Sequence, residues 1–441
     1  MAKTKVLRSK IPQRRDVFYL RDDNETESYF SFSDNATAFS KSWLKKQSRE
    51  FMPRPDGAIH HLIFDSLYLV ASSKAFEKAG GFKYIAIEDF VDHPKNPVVF
   101  GPVVLGSIHR FCGILAKEID SNLGIPIVLE NRSDSVGFTN IVFLLGSFML
   151  LKLGSNLEEV ISCFKFAERL CTPYGDATSD SFELHLRDCW GGLKRAINLG
   201  WFFPGDTHFD LAEYEHFASP LNADLHEIIP GKLIAFRSPK EMPDGVSFRD
   251  VGREDRFCHR DFSPEHYIDA LQQFDVKAVV RLNQPEYKRE ALLAAGIAVA
   301  DLYFPDCCCP PPDVVAKFMM IAEAVGGPIA VHCEAGLGRT GTMAALYMMT
   351  HHGFSAREAM GWLRVVRPGS VLGAQQRYLC EREAVMRRMG AAAAQPGPAQ
   401  PGGPAGVEEV MRVIEETVAT VDQRMEALAR RQRQDRRNSA P

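Results

Sequence analysis

The segment HCEAGLGRTG at 332–341 combines residue types that could carry out chemistry on a phosphate ester. Cys333 opens it, and Arg339 follows six positions later with two glycines between them. A glycine-containing loop that leads into a helix directs backbone N–H groups toward one centre and binds oxyanions there. The guanidinium of Arg339 can hold two oxygens of such an anion, and these positive groups favour the thiolate of Cys333. We therefore interpret Cys333 as a nucleophile. The predicted phosphate-binding residues are Glu334, Ala335, Gly336, Leu337, Gly338 and Arg339.

Cleavage of a phosphate ester also needs an acid for the leaving group and a base for the water that hydrolyses the phosphocysteine. Asp306, in the segment LYFPD, is the best candidate for both roles. Asp301 and Asp313 compete with it; we expect Asp301 to start a strand and Asp313 to be the N-cap of the next helix. The amides of Gln375 and Gln376 could hold the hydrolytic water.

Two segments share the order of elements that would position such a loop. Residues 126–164 and 328–363 each contain a proline, an apolar strand, a polar loop, a long apolar helix, a glycine turn and a second helix. Such internal similarity predicts two α/β domains of one fold, each a central sheet flanked by helices. Only the second copy has a reactive loop, because no cysteine lies between Pro126 and Asn140. We expect the N-terminal copy to be non-catalytic.

Composition and patterning divide the chain into six predicted parts. They are a basic tail (1–15), an N-terminal phosphatase-like domain (16–171), an interdomain linker (172–230), a catalytic domain (231–389), an Ala/Pro/Gly linker (390–406) and an amphipathic helix (407–437). In that helix, apolar residues recur at alternating steps of four and three from Val407 to Leu428. The spacing predicts a coiled coil or partner helix, which would permit a homodimer, or a lone amphipathic helix.

The charge balance and the cysteine spacing exclude several classes of function. The 441 residues carry 52 Lys plus Arg against 56 Asp plus Glu, so we expect no nucleic-acid partner. The longest apolar stretch falls short of the roughly 18 residues of a membrane span, and the basic tail lacks the apolar region of a secretory signal. That tail is either solvated or a small nuclear-import patch. The ten cysteines show neither CxxC pairs nor zinc-site spacing, so we expect reduced thiols, no metal and no cofactor.

Several motifs together resemble the dual-specificity phosphatases of the cell-division-cycle-fourteen type. They are HCEAGLGRTG, the PD of LYFPD, AVVRLN (278–283), RPGSVLGAQQ (367–376) and PGKLIAF (230–236). The resemblance extends from about Phe100 to Arg388, with a weaker likeness back to Asp16. It implies two tandem phosphatase-fold domains, of which the C-terminal one is catalytic.

The resemblance also implies roles for single residues. Cys333 would be the nucleophile, Arg339 the phosphate clamp and Asp306 the acid and then the base. Thr340 would assist the loss of phosphate from sulfur. Either Gln375 or Gln376 would orient the water.

The resemblance implies substrates and a setting as well. Members of this family hydrolyse phosphoserine, phosphothreonine and phosphotyrosine. They prefer a phosphoserine that is followed by proline and, further on, by a basic residue. Acidic residues in the linker between the domains recognise that basic residue. Glu215 and Asp224 fall where such acids are expected, whereas Ala218 replaces one. The setting would be cell-cycle or cilium and basal-body regulation, in the nucleus or the cytoplasm, including spindle poles and centrosomes.

Two departures from the family pattern lie close to the predicted chemistry. Glu334 stands where a lysine is common, and Cys307, Cys308 and Cys309 occupy the acid loop where small polar residues and glycine are typical. The three cysteines are either tolerated small side chains or a redox device that traps oxidised Cys333 as a disulfide.

Other functions remain open from the sequence. The same type of loop serves lipid and RNA-end phosphatases, although lipid phosphatases usually carry lysines in the loop and this loop has none. A phosphopeptide-binding scaffold would have no need of Asp306. Sulfur transfer also uses a cysteine loop, but the arginine at the sixth position favours phosphate.

Overall fold

The computed structural model of the chain describes residues 52–53, 59–64, 67–71, 81–86, 99–122, 125–131, 135–176, 182–202, 209–253, 256–393 and 406–438. The predicted basic tail lies outside the described residues, as do most of the predicted linker at 390–406 and part of the N-terminal domain.

The N-terminal domain contains a five-stranded mixed sheet in the order β1-β2-β3-β6-β4. The strands of this domain are β1 (Met52–Pro53), β2 (Ile59–Phe64), β3 (Leu67–Ala71), β4 (Lys83–Ala86), β5 (Val99–Phe100), β6 (Ile127–Asn131) and β7 (Gly175–Asp176). Strands β3, β6 and β4 run parallel, while β5 and β7 pair separately. The helices are α1 (Leu105–Ser121), α2 (Ser135–Lys152), α3 (Leu157–Cys163) and α4 (Leu186–Asn198).

Helix α2 is the centre of this domain. Among the described residues it is the one helix long and apolar enough to cross a membrane, yet 83% of it is buried inside the protein. Trp190 of α4 stacks on Phe143 of α2, and its indole N–H donates to the Phe143 carbonyl at 3.0 Å. An apolar helix that is covered on all sides by its own domain is a core helix.

The C-terminal domain is built on a second five-stranded sheet in the order β13-β12-β14-β9-β8. Its strands are β8 (Leu225–Ile229), β9 (Leu233–Phe236), β12 (Ala278–Arg281), β13 (Ala298–Asp301) and β14 (Ile329–His332), and β10 (Phe248–Arg253) and β11 (Arg256–Phe262) form a separate hairpin. All sheet neighbours are parallel except the β8–β9 pair. The inner strands β9, β12 and β14 are buried along their whole length because helices cover both faces.

Eight helices complete the described chain. They are α5 (Leu211–Ala218), α6 (Pro264–Gln273), α7 (Glu290–Ala294), α8 (Pro312–Ala324), α9 (Gly338–His351), α10 (Ala356–Val366), α11 (Ala374–Ala393) and α12 (Val407–Asn438). The loop with Cys333 joins β14, the middle strand of the sheet, to α9. This is the carboxyl end of a parallel sheet, where ligands bind in open α/β folds.

The two domains pack closely through α4 and α10. A Cβ atom on Gly192 would lie 2.3 Å from the Glu358 carbonyl oxygen, so only glycine permits this approach. Arg357 of α10 donates to the Asp188 carboxylate of α4 at 2.8 and 3.0 Å. One apolar core therefore runs through both domains.

The predicted linker at 172–230 is more structured than expected. It contains α4, whose apolar face is buried in the shared core, as well as α5 and the edge strand β8 of the second sheet. The many polar and turn residues of this stretch obscured the apolar face of α4 in the sequence. The domains therefore meet within the predicted linker.

The sequence leaves open whether 407–437 forms a coiled coil or partner helix or a lone amphipathic helix, and in the structure α12 packs on its own chain. It begins at Val407 as predicted, but Val410, Ile414 and Val421 are buried against the chain's own second domain. Asp422 forms an ion pair with Lys317 of α8 at 2.6 Å. Only the distal end of the apolar stripe stays exposed, since Leu428 is 51% exposed. The seam up to Val421 is therefore covered within one chain.

Candidate active site

The loop between β14 and α9 starts with Cys333, which is 3% exposed at the floor of the site. Gly336 has φ +66°, and a Cβ atom there would lie 2.0 Å from the carbonyl oxygen of Phe236 on β9. Both the left-handed conformation and this close approach require glycine. The backbone of the loop is thus pressed against the end of β9.

Arg367 sets the direction of the loop's peptide groups. It is 1% exposed and donates to the carbonyl oxygens of Gly336 at 2.8 Å and Ala335 at 2.9 Å. In a trans peptide the C=O and the next N–H point in opposite directions. The N–H groups of Gly336 and Leu337 consequently face away from Arg367, as an anion cradle needs.

Arg367 is itself held by β8 and the turn before it. It donates to the Asp224 carbonyl at 2.7 Å and to Nδ1 of His226 at 2.8 Å, and it lies 2.9 Å from the Asp224 carboxylate. Arg367 belongs to the motif RPGSVLGAQQ, but the motif alone does not indicate this role. The available signal was an arginine directly before Pro-Gly, where a helix must end.

Arg339 and Asp306 meet at the mouth of the loop. The Arg339 guanidinium is 4% exposed and donates to the Phe304 carbonyl at 3.1 Å. Its Nε lies 3.1 Å from an Asp306 carboxylate oxygen, although the N–H is not aligned for a hydrogen bond. Asp306 is 67% exposed, so an incoming substrate can reach its carboxylate.

The two competing aspartates have other partners. Asp301 ends β13 rather than starting it, and Arg281 donates to both of its carboxylate oxygens at 2.6 and 2.8 Å. Asp313 lies in the first turn of α8, near Lys317 at 3.5 Å, and the N-cap is Pro311. Both positions differ from the sequence expectation, and Asp306 is the one of the three beside Arg339.

The two predicted glutamines differ in their surroundings. Gln375 is buried beside the loop: its Nε2 donates to the Cys308 carbonyl at 3.1 Å, and its Oε1 would lie 2.9 Å from a Cβ atom on Gly338. The Oε1 of Gln376 instead accepts from Arg364 at 2.7 Å. Gln375 therefore lies against the phosphate loop and Gln376 does not, and the choice between them for orienting water stays a prediction. The Thr340 hydroxyl is buried and finds no hydrogen-bond partner among the described residues.

His332 fixes the backbone of the nucleophile from behind. Its Nδ1 lies 3.2 Å from the Cys333 carbonyl, and its Nε2 lies 2.9 Å from the Tyr287 hydroxyl. Burial lowers the pKa of His332 to about 3, so the ring is neutral. Because a carbonyl can only accept, Nδ1 carries the proton and the Tyr287 hydroxyl donates to Nε2.

Glu334 contributes to the rim of the site through its carboxylate. Lys240, which follows β9, lies 2.6 Å from Glu334 and 2.6 Å from Glu286. Burial alone would lower the pKa of Lys240, but its hydrogen bonds to the two carboxylates outweigh burial and raise it. Lys240 and the two carboxylates thus form an ion-paired cluster at the rim of the site. Any contact of Glu334 with phosphate would come from its backbone amide.

The two predicted substrate-reading acids are not equivalent. Glu215 on α5 is 46% exposed and forms an ion pair with Arg110 of α1. Asp224 is 16% exposed, and its two carboxylate oxygens each lie 2.9 Å from an arginine, Arg237 or Arg367. The charge of Asp224 is thus paired within the protein, and its predicted part in reading substrate stays a prediction.

The acid loop, residues 302–311, carries three neighbouring cysteines. Cys307 and Cys308 are exposed, and the Cys309 thiol lies 3.9 Å from the Ala374 carbonyl. Every cysteine whose side chain the structure describes is free, and the redox interpretation stays a prediction. In the part of the chain that the structure describes, no group of His, Cys, Asp and Glu is arranged to hold a metal ion.

Comparison with known families defines the class of protein. A profile of the dual specificity protein phosphatase N-terminal half matches residues 61–196. A profile of a DSP-PTPase phosphatase of polymorphic toxin systems matches residues 261–353. Among solved structures, Tk-PTP in the active form is 25% identical, with a TM-score of 0.28 over 37% of this chain and 95% of that chain. The two profiles, one in each half of the chain, identify the fold as two tandem dual-specificity phosphatase domains.

Similarity to individual proteins identifies the family within this class. Mouse CDC14B is 34% identical over 304 residues, which are 68% of this chain and 60% of that protein. Human CDC14C is 33% identical over 333 residues, which are 75% of this chain and 72% of that protein. The tyrosine-protein phosphatase cdc-14 of Caenorhabditis elegans is 34% identical over 64% of this chain and 40% of its own length. The chain belongs to the CDC14 family of dual specificity protein phosphatases.

The loop conformation predicts how two glycine substitutions will differ. Gly336→Ala should weaken binding of orthovanadate, a phosphate analogue, by about tenfold or more, because the new Cβ would overlap the Phe236 carbonyl. Gly231→Ala is the matched control, since Gly231 has φ +67° and open space around its Cβ position. Both variants carry the strain of a left-handed alanine. Equal vanadate affinity in the two variants, measured by calorimetry, would contradict the assigned loop geometry.

The neutral state of His332 predicts an acid-labile domain. Its pKa is about 3 in the folded chain and roughly 6.5 when unfolded. The unfolded state therefore binds more protons below pH 6.5, and the stabilisation present above that pH is lost as the pH falls toward 3. This group contributes a slope of about 1.4 kcal/mol per pH unit. In urea unfolding between about pH 6 and 4.5, the free energy of unfolding of His332→Gln should fall less steeply with pH than that of wild type. Equal slopes in the two proteins would refute the assignment.

Proposed function

We propose that this chain is a cysteine-dependent dual-specificity protein phosphatase that acts through a phosphocysteine intermediate. The observation that carries this proposal is the 3.1 Å approach of Asp306 to Arg339, at the mouth of the loop that begins with Cys333. The general acid is thereby beside the anion clamp, where the leaving oxygen of a bound phosphate ester would lie. Family membership supports the same activity.

In the first step the Cys333 thiolate attacks phosphorus, and the bond to the substrate oxygen breaks. Protonated Asp306 gives its proton to that oxygen, so the alcohol or phenol leaves neutral. Arg339 and the inward N–H groups stabilise the charge on the transferring phosphoryl oxygens. The product of this step is phosphocysteine and free dephosphorylated peptide.

In the second step water attacks the phosphocysteine, and the sulfur–phosphorus bond breaks. Asp306, now a carboxylate, takes a proton from the water, which Gln375 orients from beside the loop. None of the residues that the structure describes binds the buried Thr340 hydroxyl, so it can donate to the departing thiolate. Inorganic phosphate is released and Cys333 returns to its starting state.

For substrates, we propose phosphoserine and phosphothreonine before proline, together with phosphotyrosine. Glu215 is the one predicted substrate-reading acid that is exposed, since Asp224 is held by two arginines and Ala218 has no charge. Recognition of a downstream basic residue should accordingly be weaker than in relatives with more acids. We also propose the family's setting, cell-cycle or basal-body regulation, which imaging of the tagged chain through mitosis would test.

The decisive experiment compares peptides with phosphoserine-Pro-x-Lys, phosphothreonine-Pro-x-Lys, phosphoserine-Ala-x-Lys and phosphotyrosine. Cys333→Ser should abolish turnover of all four. Asp306→Asn should slow phosphoserine cleavage by about 10²–10⁴-fold and cleavage of p-nitrophenyl phosphate far less, because nitrophenolate leaves without a proton. Asp313→Asn is the matched control and should stay near wild type.

Other outcomes would identify another function. Turnover that survives Cys333→Ser would remove the phosphocysteine mechanism. Binding of phosphopeptides without cleavage by wild type would indicate a scaffold. Cleavage of a phosphoinositide or an RNA 5′ end in preference to every peptide would indicate a lipid or RNA-end phosphatase.

A further inference from the structure

The acid loop connects two elements, β13 and α8, and α12 packs on both of them. It leaves the sheet at the end of β13 and enters α8 at Pro312. Helix α12 packs along both β13 and α8. The 32-residue helix at the far end of the chain thus touches the two anchors of the loop that carries Asp306.

The contact with β13 closes an open sheet edge. Strand β13 is the outermost strand of its sheet, and edge strands present unpaired N–H groups. The backbone N–H of Val299 donates to the sulfur of Met411 on α12 at 3.3 Å. Val410 and Ile414, one turn apart on the same helix, are each 3% exposed in the shared core. The helix therefore fixes the strand from which the acid loop departs.

The contact with α8 reaches its first turn. Lys317 lies 2.6 Å from Asp422 of α12 and 3.5 Å from Asp313, one residue after the start of α8. The Lys317 side chain is 13% exposed and that of Asp422 is 52% exposed, so the ion pair lies at the edge of the helix contact. The helix therefore also fixes the point where the acid loop ends.

The middle of the acid loop has separate supports. Gln375 donates to the Cys308 carbonyl at 3.1 Å, and the Tyr378 hydroxyl donates to the Pro310 carbonyl at 3.4 Å. Both residues belong to α11. Helix α11 thus holds the middle of the loop, and α12 holds the flanking elements.

We infer that α12 is a positioning element for the general acid: by clamping β13 and α8 it keeps Asp306 beside Arg339. This inference rests on the proposed phosphatase function. Displacement of α12 should misplace Asp306 while leaving Cys333, Arg339 and the phosphate loop intact. The resulting decrease in kcat should be larger for a more basic leaving group, because only poor leaving groups need a proton from the general acid.

Full-length Ile414→Asp tests this inference by placing a carboxylate in the covered seam. We expect kcat for the phosphoserine-proline peptide to fall by about tenfold or more, with KM unchanged. The kcat for p-nitrophenyl phosphate should change by less than about twofold. Leu428→Asp is the matched control on the exposed distal part of the same helix and should match wild type. Hydrogen exchange of α12 amides should report release of the helix in the first variant only.

A second matched pair avoids a buried charge, in case Ile414→Asp does not fold. Asp422→Lys breaks the contact with Lys317, whereas Glu426→Lys changes an acid whose recorded partner, Arg430, is on α12 itself. Asp422→Lys should lower the ratio of kcat for the phosphoserine-proline peptide to kcat for p-nitrophenyl phosphate by about two- to threefold. Asp422→Glu, which keeps the negative charge, should retain the wild-type ratio. Glu426→Lys should leave the ratio unchanged.

The inference is overturned if the two substrates lose activity equally in Ile414→Asp and Asp422→Lys, or if neither loses activity although α12 amides have become exchangeable. Failure of the proposed function would look different. In that case wild type itself would not hydrolyse the phosphopeptide, or its activity would survive Cys333→Ser.

Discussion

The contact between Arg367 and two loop carbonyls is the interaction on which the site depends. A loop of backbone N–H groups binds an anion only if its carbonyls point away from that anion. Arg367 holds the carbonyls of Ala335 and Gly336 away by donating a hydrogen bond to each. A buried guanidinium is costly unless its charge is paired, and the Asp224 carboxylate provides that pairing at 2.9 Å. Asp224 lies in the turn directly before β8 and has a left-handed conformation with φ 48°, which aspartate adopts more readily than most residues. An acid that looks available for substrate in the sequence thus also pairs with the arginine that organises the loop.

The same constraint gives the N-terminal domain a structural role. Arg367 directly follows α10, and α10 packs against α4 at Gly192 with no room for a side chain. The Tyr214 hydroxyl of α5 also donates to the carbonyl of Val366, the residue before Arg367, at 3.1 Å. A domain whose own β6 strand leads to no cysteine therefore supports the helix end from which the loop is organised.

The local features of the site could be predicted from the sequence, and the long-range ones could not. Cys333, Arg339 and the glycines between them lie within one short segment, so their spacing carries the geometry of a strand, loop and helix. Asp306 was recognisable because it follows an apolar strand. By contrast, nothing in the spacing shows that Arg237 and Arg367 neutralise Asp224, or that Arg364 occupies Gln376. Arg367 is 143 residues from Asp224, and the other two pairs, 13 and 12 residues apart, meet only because separate elements pack together. For the same reason the periodicity of 407–437 predicted an amphipathic helix but not that β13 and α8 cover its apolar face.

The most direct test of the central claim is to identify the phosphorylated residue during turnover. Wild type mixed with a phosphoserine-proline peptide, quenched in acid within the first turnover and mapped by mass spectrometry should carry phosphate on the Cys333 peptide. The peptide with Cys307, Cys308 and Cys309 should carry none, and Cys333→Ser should show no adduct. Rapid turnover without phosphocysteine at Cys333, or phosphate on another residue, would contradict the assignment of this loop as the catalytic centre.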